Sequence, residues 1–331
     1  MTYQLGYEIE FCGLTPNEVS RAIQEAGVGY GGWFSYHGSR GATATDGANV
    51  GTTIPRVRDI RMHPNNPNAA VWVTENDGSL RNTAGRGRCG EIVSPVLYGK
   101  AGMKEAKKVH KALVAAGAQT NSSCGNHIHM GINHNSRWKR LSVARKAETG
   151  ARVAYIYSHF QPVINALLSN VRATGGSGYG DSVRPINLGN PFNGRCVLNM
   201  GSFILQGRLE FRQPGYTLEW DNMEGITLLF QSIIGCALND NHKSHVKGWS
   251  NFVEDLRSQP ISLAGFLGFL NAGRKADAWA VARLDSNINR WSQGRAGRVL
   301  IRDGTYSRPT SIPQRASFYA NGQQYGARRM A

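Results

Sequence analysis

The stretch "GYEIEF", Gly6 to Phe11, sets two carboxylates into an otherwise apolar run. Tyr7, Ile9 and Phe11 alternate with Glu8 and Glu10, and side chains two apart on a strand share a face. Both carboxylates therefore leave one side of a sheet whose other side is apolar. Two readings are open at this point. The acids line the solvated face of a half-exposed strand, or they are hard oxygen ligands held ready for a divalent cation.

The same device recurs along the chain. "CGEIVSPVL" sets Glu91 among Ile92, Val93 and Val96, and "CGNHIHMGI" sets His127 and His129 two apart, with Asn126 beside them. "NDGSL" offers Asp77 and Ser79 at a turn, and "RLEFRQP" offers Glu210 and Arg212 flanked by Leu209 and Phe211. Each has an ordinary reading alone: a zinc-binding or satisfied histidine pair, a plain turn, a surface ion pair. Jointly, carboxylates on one face of several strands need cations to neutralise them. Glu8, Glu10, Asp77, Glu91, Glu210 and a histidine make a cage suited to Mg2+, which takes carboxylate, water and phosphate oxygens. Arg212 fits the remaining task of gripping a phosphoryl group. A zinc hydrolase built on Cys124, His127, His129 and Glu91 competes, because Cys124 lies three residues before His127.

The rest of the chain frames these motifs. Its 331 residues suffice for a sizeable core, and 38 Lys and Arg against 22 Asp and Glu give a formal charge of +16. That excess favours an anionic partner and excludes none among nucleotides, nucleic acids and other polyanions. Five scattered cysteines (Cys12, Cys89, Cys124, Cys196 and Cys236), with no CxxC spacing, predict free thiols in a reducing compartment. With no secretory signal and no membrane-length apolar run, a cytoplasmic protein without a membrane partner is expected.

"TPNEVSRAIQEAG" predicts a helix with Thr15 as N-cap, Pro16 in the first turn and Gly27 at the stop. Residues 29–53 predict a twisted hairpin or flap, and 69–74 a strand leading into a turn on Asn76, Asp77 and Gly78. "GMKEAKKVHKALVAAG" predicts an amphipathic helix with Val109, Leu113 and Val114 facing inward. Residues 137–170 predict a long helix kinked or broken at Pro162, and further helices run to about Arg290. The Gly-rich loops 38–53 and 173–195 are candidate lids. Ser79, Asn126, Gly176, Tyr179 and Arg184 are the candidate substrate and lid residues. The expected domains are a catalytic domain over 1–290 and a basic extension over 291–331. Arg residues in that extension, interleaved with Tyr306, Phe318, Tyr319 and Tyr325, support an alternative: a nucleic-acid-binding or structural protein without turnover. Strands and helices in mixed order, with hairpins, predict an α+β fold: an antiparallel sheet backed by helices.

The motifs "GYEIEF", "NDGSL", "GEIVSPVL", "NSSCGNHIHMGI" and "RLEFRQPGYTLEW", in that order, resemble the amidoligase family. That family lies within the carboxylate–amine ligases that share the glutamine synthetase and glutamate–cysteine ligase catalytic fold. "CGNHIHMG" and "RLEFRQP" are similar to the HxH segment and the Glu-x-Arg strand of glutamine synthetases. The resemblance implies a curved antiparallel sheet with ATP and Mg2+ or Mn2+ on its concave face. It also implies amide formation between an acid and an amine through an acyl-phosphate. By it, Glu8, Glu10, Asp77, Glu91, His127 and Glu210 are metal ligands, while His129 and Arg212 touch phosphate. A phage or mobile-element origin would suit a basic ligase of this kind.

Overall fold

A computed structural model of the chain describes residues 3–34, 72–75, 77, 80, 88–121, 123–133, 136–168, 197–215, 217–238, 248–271, 275–280 and 282–283. Ser79, Gly176, Tyr179, Arg184, both candidate lids and the basic extension lie outside the described residues. The described chain is an α+β structure that divides into two compact units. The first comprises Thr2–Met130 and Pro214–Glu224, and the second Gly131–Gln213 and the chain from Gly225 onward.

In the first unit, β1 (Gln4–Cys12) lies inside an open sheet of order β2-β3-β4-β1-β6. Its partners are β2 (Tyr30–Phe34), β3 (Trp72–Glu75), β4 (Cys89–Val93) and β6 (Asn126–Gly131), while β5 (Leu97–Tyr98) pairs with the start of β1. β1 with β4 and β3 with β4 are antiparallel. β2 runs parallel to β3, and residues 35–53 of the predicted hairpin or flap lie outside the described residues. β2 thus pairs with a strand that begins about forty residues later in the sequence.

The alternation read from "GYEIEF" holds. Tyr7, Ile9 and Phe11 are fully buried, together with Trp72, Ile92, Ile128 and Met130. Helices α1 (Pro16–Glu25) and α2 (Gly99–Ala115) pack together, and α2 packs on β1. Val19, Ile23, Ala106, Val109 and Leu113 have no exposed surface. Each large apolar side chain so placed contributes about 1.5–3 kcal/mol. Val114 is half exposed, contrary to the expectation. One residue beyond Leu113, it is turned about 100° around the helix, off the inward stripe. α1 begins as predicted, with a capping box. The Glu18 N–H donates to the Thr15 hydroxyl at 3.4 Å, and the Glu18 carboxylate accepts from the Thr15 N–H at 2.7 Å. Gly27, at φ +67°, ends the turn in the left-handed region.

The five cysteines are not all free thiols. Cys12 and Cys89 stand opposite each other in register and form a disulfide. Scattered sequence positions concealed this pairing, because the ladder brings together residues 77 apart.

In the second unit, the predicted long helix is three. They are α3 (Ser136–Arg140), α4 (Val143–His159) and α5 (Gln161–Leu168). The break falls at Phe160, which leaves Pro162 in the first turn of α5, where its missing N–H costs nothing. β7 (Leu198–Asn199) and β8 (Arg208–Phe211) form an antiparallel pair, with α6 (Phe203–Gln206) between them. Phe211 stacks on Phe230 at 3.8 Å, a residue of α7 (Trp220–Leu238), and Tyr157 packs against both rings. α8 (Gly248–Ser258) and α9 (Leu263–Leu270) follow, with Phe160 packed against Phe266 and Phe269. No described helix is long and apolar enough to cross a membrane.

Candidate functional site

Register assembles the acids. Glu10 on β1 stands opposite Glu91 on β4, and Glu91 stands opposite Glu75 on β3. Residues paired in this way share a face with Cβ atoms about 4.5–5.5 Å apart, so three carboxylates form one row across three strands. All three are buried. Asp77 continues the same face of the chain beyond β3, and carboxylate oxygens of Glu10, Asp77 and Glu91 all lie within 4.8 Å of one another. The Gly125 N–H donates to the Glu10 carboxylate, and the Glu10 N–H donates to the Gly125 carbonyl at 3.1 Å. Glu10, the end carboxylate of the row, is thus held against the loop entering β6.

Glu75 was not among the sequence candidates. The sequence reading ends the strand at Thr74, before a turn on Asn76, Asp77 and Gly78. Yet Val73, Glu75 and Asp77 keep the two-residue spacing that exposed Glu8 and Glu10.

Glu8 lies beside this row, on the same face of β1, and is engaged differently. His127 Nδ1 donates to one carboxylate oxygen at 2.7 Å and His129 Nε2 to the other at 2.9 Å. Burial pushes the Glu8 carboxyl up, but the His129 charge and the hydrogen bonds from both rings outweigh it and hold the group well below the usual carboxylate range. The shared carboxylate fixes which nitrogen of each ring carries the proton. Gly6 continues this face, and a Cβ there would come within 3.2 Å of the His129 Cβ. A glycine leaves the ring its place.

Glu91 responds in the opposite direction. Burial, followed by the charges of Glu8, Glu10, Glu75 and Asp77, pushes its carboxyl well above the usual range. A buried cluster of acids with no cation is electrostatically frustrated. The donors are hard oxygens in convergent positions, with a histidine pair at the rim. They fit a divalent cation such as Mg2+ or Mn2+, and Glu10, Asp77 and Glu91 are the residues that would hold it. Zinc chemistry fits less well. Cys124 packs with Cys12, Cys89 and Leu80, and among the described residues no convergent group of three metal-type donors includes it.

Glu210 and Arg212 belong to the second unit. Glu210 is buried, accepts from Asn199 Nδ2 at 2.9 Å, and forms a close ion pair with Arg212, which is partly exposed. This is a pre-formed carboxylate–guanidinium pair at the end of β8, the ordinary ion-pair reading of the Glu-x-Arg spacing, with the carboxylate buried. Asn126 is fully buried, and its Nδ2 donates to the carbonyls of Gly215 (3.1 Å) and Thr217 (2.9 Å). By alternation it projects from the face of β6 opposite His127. From that face it anchors the backbone at Gly215 and Thr217.

The family model described as "Putative amidoligase enzyme" matches residues 1–169. The chain belongs to the amidoligase family. The matched span includes Glu8, Glu10, Glu75, Asp77, Glu91, His127 and His129, and the family name places the chain among enzymes of ligase type. No curated protein matches the chain.

Proposed function

We propose that this amidoligase joins a carboxylic acid to an amine at the expense of ATP, through an acyl-phosphate. In this reading the sheet is the curved platform of a glutamine synthetase-like catalytic domain, with Mg2+ or Mn2+ and ATP on its acidic face. The observation that carries the proposal is the row Glu10–Glu91–Glu75, with Asp77 converging on it, in a chain of the amidoligase family.

A carboxylate is a poor electrophile at neutral pH. Transfer of a phosphoryl group to it creates a leaving group, and an amine then displaces phosphate. Such a transfer needs positioning and charge compensation more than a covalent protein group. A divalent cation held there would supply charge compensation for the phosphates. Glu10, Asp77 and Glu91 serve to hold it, and Glu75 supplies a further oxygen to the same row. The ionised Glu8 keeps the His127 and His129 rings oriented, with His129 directed to phosphate. In the second unit, Arg212, paired with Glu210, is the guanidinium suited to gripping a phosphoryl group. The protein works in the cytoplasm in this reading, and its positive charge draws in anionic substrates such as ATP.

The test is release of ADP and phosphate from ATP across a panel of acids and amines, with the acid labelled with 18O in its carboxyl group. An acyl-phosphate route carries one labelled oxygen into the released phosphate. Unlabelled phosphate, or turnover unaffected by Glu10→Gln and Arg212→Ala, would refute the proposal.

A further inference from the structure

The sulfur cluster at the end of the acidic face has no role in the reaction described above, and its arrangement is specific. Cys12 is the last residue of β1 and is clamped in place: its N–H donates to the Gln119 carbonyl at 2.8 Å, and its carbonyl accepts from the Gln119 N–H at 2.7 Å. On one side lies Cys89 of β4, joined to it by the disulfide. On the other lies the segment leading into β6, which carries Cys124. Its Sγ is 3.9 Å from the Cys12 Sγ, close to van der Waals contact for two sulfur atoms. All three cysteines are buried.

Asn121 spans the two unbonded sulfurs. Its Nδ2 donates to Cys12 Sγ at 3.3 Å, its backbone N–H donates to Cys124 Sγ at 3.5 Å, and its Oδ1 accepts from the Cys124 thiol at 3.7 Å. Ser123 holds that Oδ1 in turn through its N–H (2.8 Å) and its hydroxyl (2.5 Å). A thiol is therefore held against the shared sulfur of a disulfide, with an amide positioned to accept its proton's hydrogen bond and to donate to the sulfur under attack.

We propose that Cys12, Cys89 and Cys124 form an internal thiol–disulfide exchange centre in which Cys12 is the sulfur common to two alternative bonds. The step is balanced without an external oxidant. The Cys124 thiol gives up its proton and its sulfur attacks Cys12 Sγ. The Cys12–Cys124 bond forms, the Cys12–Cys89 bond breaks, and the electron pair leaves on Cys89 Sγ, which takes up a proton. Exchange moves the covalent tie. With Cys12–Cys89, β1 is fastened to β4, two register pairs beyond Glu10 and Glu91. With Cys12–Cys124, β1 is fastened to the loop whose Gly125 N–H holds Glu10. The inference is independent of the ligase reaction and stands or fails separately from it.

The full-length oxidised chain tests it. After incubation at neutral pH in a glutathione buffer, acid quenching stops exchange, thiols are alkylated in denaturant, and disulfide-linked peptides are identified by mass spectrometry. The expected result is a Cys12–Cys124 peptide beside the Cys12–Cys89 peptide, with alkyl label divided between Cys89 and Cys124. Cys89→Ser is expected to give Cys12–Cys124 as its disulfide. A Cys12–Cys124 bond in either protein supports the exchange centre. Its absence from both, or from the wild type alone should Cys89→Ser not fold, overturns it.

Discussion

Glu10 and Glu91 stand directly opposite each other across the antiparallel pair of β1 and β4. Like charges in that position repel, and Glu75 extends the row on the far side of Glu91. The arrangement disfavours the fold unless a cation or a proton relieves it.

Glu91→Gln is expected to raise the Tm measured in EDTA, by the equivalent of about 1 kcal/mol, and to shrink the further gain that Mg2+ gives the wild type. The pH dependence has a definite sign. The folded-state pKa of Glu91 lies above its unfolded value. Its stabilising contribution is therefore complete below the ordinary carboxylate range and is lost as pH rises through the raised pKa. Glu8, held low by the two histidines after burial is overcome, contributes above that range and loses its effect only on strong acidification. In melting curves against pH in EDTA, the stability of the wild type relative to Glu91→Gln should fall as pH rises above the ordinary carboxylate range. Identical profiles would show that the row carries no mutual repulsion.

His110 gives a second pH signature. It is fully buried on α2, its Nδ1 is 3.3 Å from the Leu218 carbonyl, and it meets Trp220 edge-on at 5.4 Å. Burial pushes its pKa down to about 4 from 6.5. A histidine with a depressed folded-state pKa supports the fold fully above its unfolded pKa and loses that support as pH falls from 6.5 towards 4. The loss by pH 4 is roughly 3 kcal/mol. Chemical denaturation at pH 7 and pH 4.5 checks this. His110→Gln should narrow the difference between the two.

Arg212→Ala is expected to destabilise as well as inactivate, because it leaves the buried Glu210 carboxylate with Asn199 but without its guanidinium. The stability cost is about 1–3 kcal/mol, since Arg212 is itself partly exposed. Arg212→Lys keeps the charge but not the planar fork, and should restore more stability than activity. Equal recovery of both would assign the residue a structural role alone.

Asn126→Ala separates anchoring from substrate contact. It removes the donor to the Gly215 and Thr217 carbonyls and should cost about 1–3 kcal/mol. Mg2+ affinity measured well below the Tm should stay within about twofold of wild type, because the side chain leaves the opposite face of β6.

Much of this was legible in local periodicity. The alternation in "GYEIEF" fixed the acidic and apolar faces of β1, the spacing of His127 and His129 placed both rings on one side, and Thr15, Pro16 and Gly27 located α1. What local spacing could not supply was register. Nothing in the sequence aligns Glu10 with Glu91 rather than with a residue two positions away, and the same ladder decides the Cys12–Cys89 bond. One addition to the row had a signal available: Glu75 continues the parity of Val73 and Asp77, but the adjoining turn residues hid it. Asn126 has the opposite parity to His127, which places it on the other face of β6.

The central claim is that the acids of β1, β3 and β4 coordinate a divalent cation. Calorimetric titration of Mg2+, with Mn2+ as a second probe, into metal-stripped wild type, Glu10→Gln, Glu75→Gln and Glu91→Gln tests it most directly. The account predicts saturable binding to the wild type and at least about a tenfold loss of affinity in Glu10→Gln and Glu91→Gln, with a smaller loss in Glu75→Gln. Equal affinity in all four proteins, or no binding to the wild type, would contradict it.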